Sequence, residues 1–217
     1  MESIQNPTVI IGSPGFGLVG SIATEFLLEH LQMELIDTIH LPQTQPLAIV
    51  HKGKLIPPVG VYYHKEKHIV VVHLLAPAQG YEWELAQKID ELLQSMQAQK
   101  VIVLEGVQST DENAVLAYGD TIEGTTALQE GIIMGITSTL LLKRPLIGLF
   151  AACHEQMPDS KAAAHVIEVL DKYLGLQVDY HPLLDAAKEF EEKLKSLMSK
   201  SQQALSEKEK RSLSYVG

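Results

Sequence analysis

The chain has 217 residues, 46% of them apolar, and a formal net charge of −10. That apolar share excludes wholesale disorder and is enough for one sizeable α/β domain with a proper core. The acidic balance, with no basic stripe, argues against nucleic acid as a partner, because neutralising phosphates needs clustered Lys and Arg. Met1 to Pro7 lacks the positive and then apolar pattern of a secretory signal. The longest apolar runs, Ile69 to Ala78 and Leu140 to Leu142, fall far below a membrane span. The single cysteine, Cys153, has no partner for an internal disulfide, which fits a reducing compartment. The expected location is the cytoplasm, with no membrane contact.

The stretch Thr8 to Glu29, TVIIGSPGFGLVGSIATEFLLE, organises the rest of the chain. Thr8 to Ile11 predicts a buried strand, and Gly12 to Gly17 a glycine-rich turn. Leu18, Val19, Ile22, Ala23, Phe26 and Leu27 then recur at helical spacing. Leu35 to Leu41 alternates and predicts a second strand. Pro42 and Pro46 mark a turn, Leu47 to Val50 a short strand, and His51 to Lys54 a polar turn. Leu55 to Tyr63 is extended but holds Pro57 and Pro58, which places it at an edge. Lys65 to Lys67 make a hairpin tip. Ile69 to Leu75 is a continuous apolar run, the pattern of a strand covered on both faces.

Trp83 to Met96 predicts a helix, with Leu85, Ala86, Ile89, Leu92, Leu93 and Met96 on one face. Val101 to Leu104 is another buried strand, closed by Glu105 and Gly106. Strand, helix and strand in alternation predict a right-handed crossover and a largely parallel sheet. After the polar loop Gln108 to Asn113, Val115 to Tyr118 reads as a short strand. Gly131 to Leu142 fits helix or strand; its length favours helix, against its glycines and threonines. Leu146 to Ala152 is a further strand, ending in Cys153 and His154. Ser160 is the expected cap of a helix running to Leu174, with Gly175 as its stop. From His181, Leu183, Leu184, Ala187, Phe190, Leu194 and Leu197 form one stripe of an amphipathic helix. Ser199 to Arg211 is polar, and Leu213 to Gly217 puts apolar groups at the end of that tail. The expected organisation is an α/β/α domain over 1–180, a helix over 181–198 packed on the domain or a partner subunit, and a polar flexible tail over 199–217.

The glycine turn is the first candidate for chemistry. Gly15, Gly17 and Gly20 spell G-x-G-x-x-G between a strand and a helix, the context of a dinucleotide fingerprint, and are the candidate cofactor-binding residues. The ribose-binding acid belongs at the end of the next strand. Asp37 lies inside that strand instead, and His40 and Leu41 occupy its end. Pro14 removes one N–H from the turn. The same glycines suit a tight strand-to-helix corner that holds no ligand. No Gly-Lys-Ser/Thr follows, which excludes a P-loop. Cys153 before His154 sits where a strand-end nucleophile would, but Ala151, Ala152 and Glu155 replace elbow glycines, so a small buried hydrophobe is the favoured role. No catalytic residue is assigned. His51, His64, His68 and His73 show no ligand spacing, and no metal site is expected. Glu105 at a strand end occupies a position that open α/β sheets use catalytically; without an evident acid/base partner, a hydrogen-bonding or surface role is favoured.

Several segments, taken together, resemble one family. Gly12-Ser-Pro-Gly-Phe-Gly-Leu-Val-Gly20, Glu105-Gly106, Gly135-Ile-Thr-Ser-Thr-Leu-Leu-Leu142 and Pro158-Asp-Ser-Lys-Ala-Ala-Ala-His-Val-Ile-Glu-Val-Leu170 are similar, in order, to motifs of the PAC2 family, the proteasome assembly chaperone family. The last runs into Leu174-Gly-Leu-Gln-Val-Asp179 and a Glu/Lys-rich helix, so the resemblance spans about residues 8 to 197 and is greatest to the archaeal branch. It implies a three-layer α/β/α sandwich with a largely parallel, mixed sheet, phosphorylase-like but without that active site. It implies homo-oligomers, no cofactor, and binding to α-subunits of the 20S proteasome as an assembly chaperone or ATP-independent activator. Some archaeal members dock through a tail ending hydrophobic–tyrosine–any residue. The matching positions here are Leu213, Tyr215, Val216 and Gly217, with Tyr215 third from last and Val216 in the tyrosine slot. The family has also been labelled ATP-grasp-like, but no Gly-rich hairpin with an acidic metal cluster accompanies that label here. The leading expectation is thus a non-enzymatic binding protein. The alternative is a nucleotide- or nucleoside-binding enzyme, ATP-grasp-like or phosphorylase-like, using the Gly12–Gly20 turn. A third reading is a scaffold whose last helix builds a cage or ring.

Overall fold

The computed structural model describes residues 4–42, 49–51, 53–75, 78–109, 114–153, 157–182 and 185. In chain order they form β1 (Thr8–Gly12), α1 (Val19–His30), β2 (Glu34–Thr38), β3 (Ile49–His51), β4 (Lys54–Ile56), β5 (Val59–His64), β6 (Ile69–Leu74), α2 (Glu82–Ser95), β7 (Lys100–Gln108), β8 (Val115–Tyr118), β9 (Thr126–Ala127), α3 (Gly135–Lys143), β10 (Ile147–Cys153) and α4 (Ser160–Leu174). An eight-stranded sheet carries the order β2-β5-β6-β1-β7-β10-β8-β9, and β3 pairs with β4 in a separate two-stranded ribbon.

The central strands β6, β1, β7 and β10 are mutually parallel, β5 runs antiparallel to both β2 and β6, and β8 runs antiparallel to β10 but parallel to β9. Burial on both faces explains why these central strands read as unbroken Val and Ile runs. Alternation sorts their side chains into two cores. Ile10, Val71, Ile102, Leu104 and Leu149 pack with α1 and α4, through residues such as Ile22, Leu27, Val166 and Leu170. Val9, Ile11, Val70, Val72, Val101 and Val103 pack with α2 and α3, through Leu85, Ile89, Leu93 and Leu140. The result is the expected α/β/α sandwich around a mixed, mostly parallel sheet.

Some boundaries differ from the sequence reading. Pro57 and Pro58 do not put their strand at an edge: they precede β5, which lies between β2 and β6. Placed there, neither removes a ladder N–H, and the Pro58 carbonyl still accepts from Leu75 N at 3.0 Å. The edge is β2, which ends at Thr38 rather than Leu41 and carries a register shift between Leu35 and Asp37. Strand β7 runs on to Gln108, so Glu105 and Gly106 lie inside it rather than closing it. The helix within Gly131 to Leu142 begins only at Gly135. The cap of α4 is Asp159, not Ser160; its carboxylate accepts from Ala162 N at 2.9 Å. Gly175, left-handed at φ 63°, ends α4 as expected. Apart from 181, 182 and 185, the expected helix over 181–198 lies outside the described residues, as does the tail over 199–217. Among the described residues no helix is long and apolar enough to cross a membrane.

Candidate functional site

Parallel strands place their carboxyl ends on one side of the sheet, where open α/β folds hold their ligands. The glycine turn lies at that end. Ser13 N donates to the Leu104 carbonyl at 3.0 Å, extending the β1–β7 ladder one residue past Gly12. The chain then crosses the end of the sheet through a 3-10 turn, Phe16–Leu18, with Gly17 at φ 63° and Leu18 at φ 51°. Leu18 N donates to the Gly15 carbonyl at 3.2 Å, and Asp159 N to the Gly17 carbonyl at 2.8 Å. The turn is thereby tied to β7 on one side and to the start of α4 on the other.

Glu105 fills the space under this turn. A Cβ on Gly15 would lie 2.1 Å from Glu105 Oε1 and 2.4 Å from its Cγ, so a larger residue there forces the Glu105 side chain to shift. The side chain is buried, and desolvation pushes its pKa up to about 7; the Thr137 and Ser13 hydroxyls facing it act in the opposite direction. Glu105 Oε2 and the Thr137 hydroxyl are both shielded from solvent, and neither closes a well-formed hydrogen bond. A carboxyl half-protonated near neutrality has the proton affinity of a general acid or base. The same shift is what burial without a cation demands of any carboxyl.

Cys153 lies beneath the other half of the turn. Its Sγ is 2.9 Å from where a Gly17 Cβ would stand, 4.0 Å from the Phe16 carbonyl and 3.6 Å from that of Ala151. Burial, and then the nearby Asp159 carboxylate, push the thiol up to about 12. At neutral pH it is a thiol, not the thiolate that nucleophilic catalysis needs. This matches the reading of Cys153 as a small buried hydrophobe; its expected neighbour His154 lies outside the described residues.

A second polar cluster sits at the end of β6. The Thr24 hydroxyl oxygen lies 2.7 Å from the Gly20 carbonyl oxygen and 2.9 Å from His73 Nδ1. His73 Nε2 stands 3.2 Å from Glu25 Oε2 without closing a hydrogen bond. Complete burial lowers the His73 pKa to about 4, so at neutral pH this contact is not an ion pair. Tyr62 is raised to about 12 by burial and then by Glu25. Sequence reasoning missed this cluster and the burial of Glu105. The available signals were a histidine inside an otherwise apolar run and a threonine one helical turn after Gly20.

Asp37 is not brought to the turn. In a dinucleotide fold the second strand lies beside the first. Here β1 is flanked by β6 and β7, and β2 is the far edge of the sheet. Asp37 instead accepts from Thr38 N at 2.7 Å. Gly15, Gly17 and Gly20 do come together with Glu105 and Cys153, but through backbone packing. The tail residues Leu213, Tyr215, Val216 and Gly217 lie outside the described residues. Among the described residues no group of three or more His, Cys, Asp or Glu could hold a metal ion.

Comparison with known proteins agrees with this geometry. The fold matches Pyrococcus furiosus PbaA, described as an archaeal homolog of proteasome-assembly chaperone, with a TM-score of 0.80 and 30% identity over 94% of this chain and 97% of that one. It matches Pyrococcus furiosus PbaB, described as an archaeal proteasome activator, with a TM-score of 0.71 and 25% identity over 91% of this chain and 96% of that one. An uncharacterized Methanocaldococcus jannaschii protein is 27% identical over 98% of this chain and 94% of its own length. The PAC2 family model matches residues 9–198, and the chain belongs to the PAC2 family.

Proposed function

We propose that this chain is a non-enzymatic, homo-oligomeric protein that binds α-subunits of the 20S proteasome, as an assembly chaperone or an ATP-independent activator. The carrying observation is the agreement with PbaA in sequence and fold over nearly the full length of both chains. The filled turn supports the non-enzymatic part. Glu105 packs against Gly15, and Cys153 is held as a thiol. Docking is assigned to the tail, through the apolar side chains of Leu213, Tyr215 and Val216 and the carboxylate of Gly217, the mode of short C-terminal motifs captured by a partner's pocket.

Co-purification with archaeal 20S particles tests this. The full chain is expected to be retained and a chain lacking Leu213–Gly217 to be lost, with its oligomer intact. Retention of the shortened chain would refute the tail, and failure of the full chain to bind would refute the proteasome reading altogether. The competing nucleotide-binding reading is tested by thermal shift, because a ligand bound only by the native state raises its stability by mass action. The expected outcome with ATP, NAD or nucleosides is no shift.

A further inference from the structure

The first half of α1 is buried on every side. The consecutive residues Val19 to Thr24, which together go right round the helix, are all buried. Gly20 and Thr24 face the sheet: a Cβ on Gly20 would meet the Leu104 carbonyl oxygen, and Thr24 packs on Gly12. Ile22, midway between them in sequence, points away from the sheet, yet it is only 1% exposed. Phe26, one turn on, is half-buried and stacks on His30 with ring centroids 5.3 Å apart. A helix in the outer layer of a sandwich keeps a polar face toward water; one that is apolar all round is covered from outside as well.

The course of the chain after α4 indicates what covers it. Gly175 turns the backbone back, and Leu176 and Val178 are buried in the α1–α4 core while Gln177 and Asp179 are exposed. This alternation lays one side of the segment into the groove between the two helices. Val178 N donates to the Asp171 carboxylate at 3.0 Å, the Tyr180 hydroxyl reaches Glu168, and Asp179 lies within electrostatic reach of His30. Contact with Asp171 and then with Glu168 means that the segment climbs back along α4, on its α1 side. Helices α1 and α4 each follow a strand of the parallel set and run the same way, so the segment runs against both. His181 N then donates to Asp179 Oδ1 at 3.1 Å, and a new helix starts at His181 with Pro182 in its first turn. Phe26 and Ile22, one and two turns before His30 on α1, lie directly ahead of it.

We propose that the helix beginning at His181 continues along the outer groove between α1 and α4, antiparallel to both, and that its stripe of Leu183, Leu184, Ala187, Phe190, Leu194 and Leu197 covers Phe26 and Ile22. The dipoles of two parallel helices add, and a third helix laid antiparallel to them offsets the sum. Residues 181–198 span about 27 Å as a helix, against about 18 Å for the 12 residues of α1. The end of the stripe therefore passes the glycine turn, and the tail leaves the domain at the carboxyl end of the parallel strands. This placement goes beyond the proteasome reading and does not depend on it.

Paired cysteines in the full chain test the proposal, since the native Cys153 is buried. Both helices rise about 1.5 Å per residue, so with Asp179 beside His30, Leu184 comes level with Phe26. Phe26→Cys with Leu184→Cys is expected to close a disulfide within one chain on mild oxidation, read as a monomer of altered mobility on a non-reducing gel. Phe26→Cys with Lys195→Cys, about 16 Å further along, is expected to leave both thiols free. A disulfide joining two chains would overturn the proposal by assigning the groove to the helix of a second copy. Equal reaction of both pairs, or of neither, would overturn it too. Independently, Phe190→Asp is expected to lower the melting temperature by about 5–15 °C, and Glu192→Ala, opposite the stripe, to leave it within about 2 °C. An unchanged melt for Phe190→Asp would put the stripe in solvent and refute the groove. Neither measurement reads capture by 20S particles, so failure here leaves the proteasome reading standing.

Discussion

Replacing Gly20 by alanine separates a packing role for the glycine turn from a ligand-binding one. In the family of folds that carry G-x-G-x-x-G, the third glycine serves close helix–strand packing, and that role needs no nucleotide. Gly20 is the second residue of α1. A Cβ there would lie 2.1 Å from the Leu104 carbonyl oxygen and 2.5 Å from both Ser13 N and Ser13 O, whereas real Cβ contacts essentially never fall below 3.0 Å. All three neighbours are backbone, so no rotamer change relieves them, and α1 must rise from the sheet by about 1 Å. A gap of that size forfeits a quarter to a half of each dispersion contact it opens, and Val19, Ile22, Ala23 and Leu27 all reach the core from α1. Overpacking costs about 1–3 kcal/mol, and the loosened helix adds a loss of similar size. Against this, alanine gains at most about 1 kcal/mol of helix propensity over glycine. The steric term wins, leaving a net loss of about 2–4 kcal/mol, or roughly 5–15 °C in melting temperature for a chain of this size. Gly131→Ala is the control, since its Cβ would meet only Leu128 Cδ1 at 3.4 Å; its melt should match the wild type within about 2 °C. Thermal and urea unfolding followed by circular dichroism measure both. A Gly20→Ala protein as stable as the wild type, or more so, would refute the close approach of α1 to β7.

The two buried titratable groups predict opposing pH slopes. Native Glu105 titrates at about 7 rather than 4.5, so stability falls as pH rises across that window, by up to about 3 kcal/mol. Native His73 titrates at about 4 rather than 6.5, so stability falls as pH drops across its own window. Between about pH 4.5 and 6.5 the slopes offset. Glu105→Gln should leave a urea midpoint that climbs with pH there more steeply than in the wild type, and parallel curves would count against the buried carboxyl. The reciprocal change, His73→Gln, should make the midpoint descend with pH; a flat curve would place the histidine in solvent. Cys153 should react with a thiol reagent only as the chain unfolds globally, and rapid labelling of native protein would contradict its burial. Asp159→Ala removes the cap bond to Ala162 N and should cost α4 about 1 kcal/mol, read as a melting drop of a few degrees.

Much of the fold was legible because its signals are local. Strands β1, β6, β7 and β10 announce themselves as apolar runs, α2 as a one-faced stripe, and α4 by the glycine that stops it. Boundaries were less legible where a neighbour sets them. Pro57 and Pro58 read as an edge signal, because sequence alone does not say that β5 begins just after them. Glu105 and Gly106 read as the end of β7, because a polar residue followed by glycine usually stops a strand; here the strand continues under the glycine turn. The site was legible in its residues and not in its contents. Sequence placed three glycines between a strand and a helix, the geometry of an anion cradle. Only the fold brings a glutamate from ninety residues further along the chain to pack against Gly15, and only the strand order moves Asp37 to the far edge.

The margins of the sheet carry one more consequence. Strand β2 is bent by its register shift and bears Glu34 and Asp37, while β9 spans only Thr126–Ala127. Short, irregular or charged edges are poor templates for adding another strand. Copies of this chain therefore have little means of growing by joining sheets end to end, the route by which crowded β-rich proteins form fibres. The self-association proposed for this chain is left to the helical flanks of the sheet.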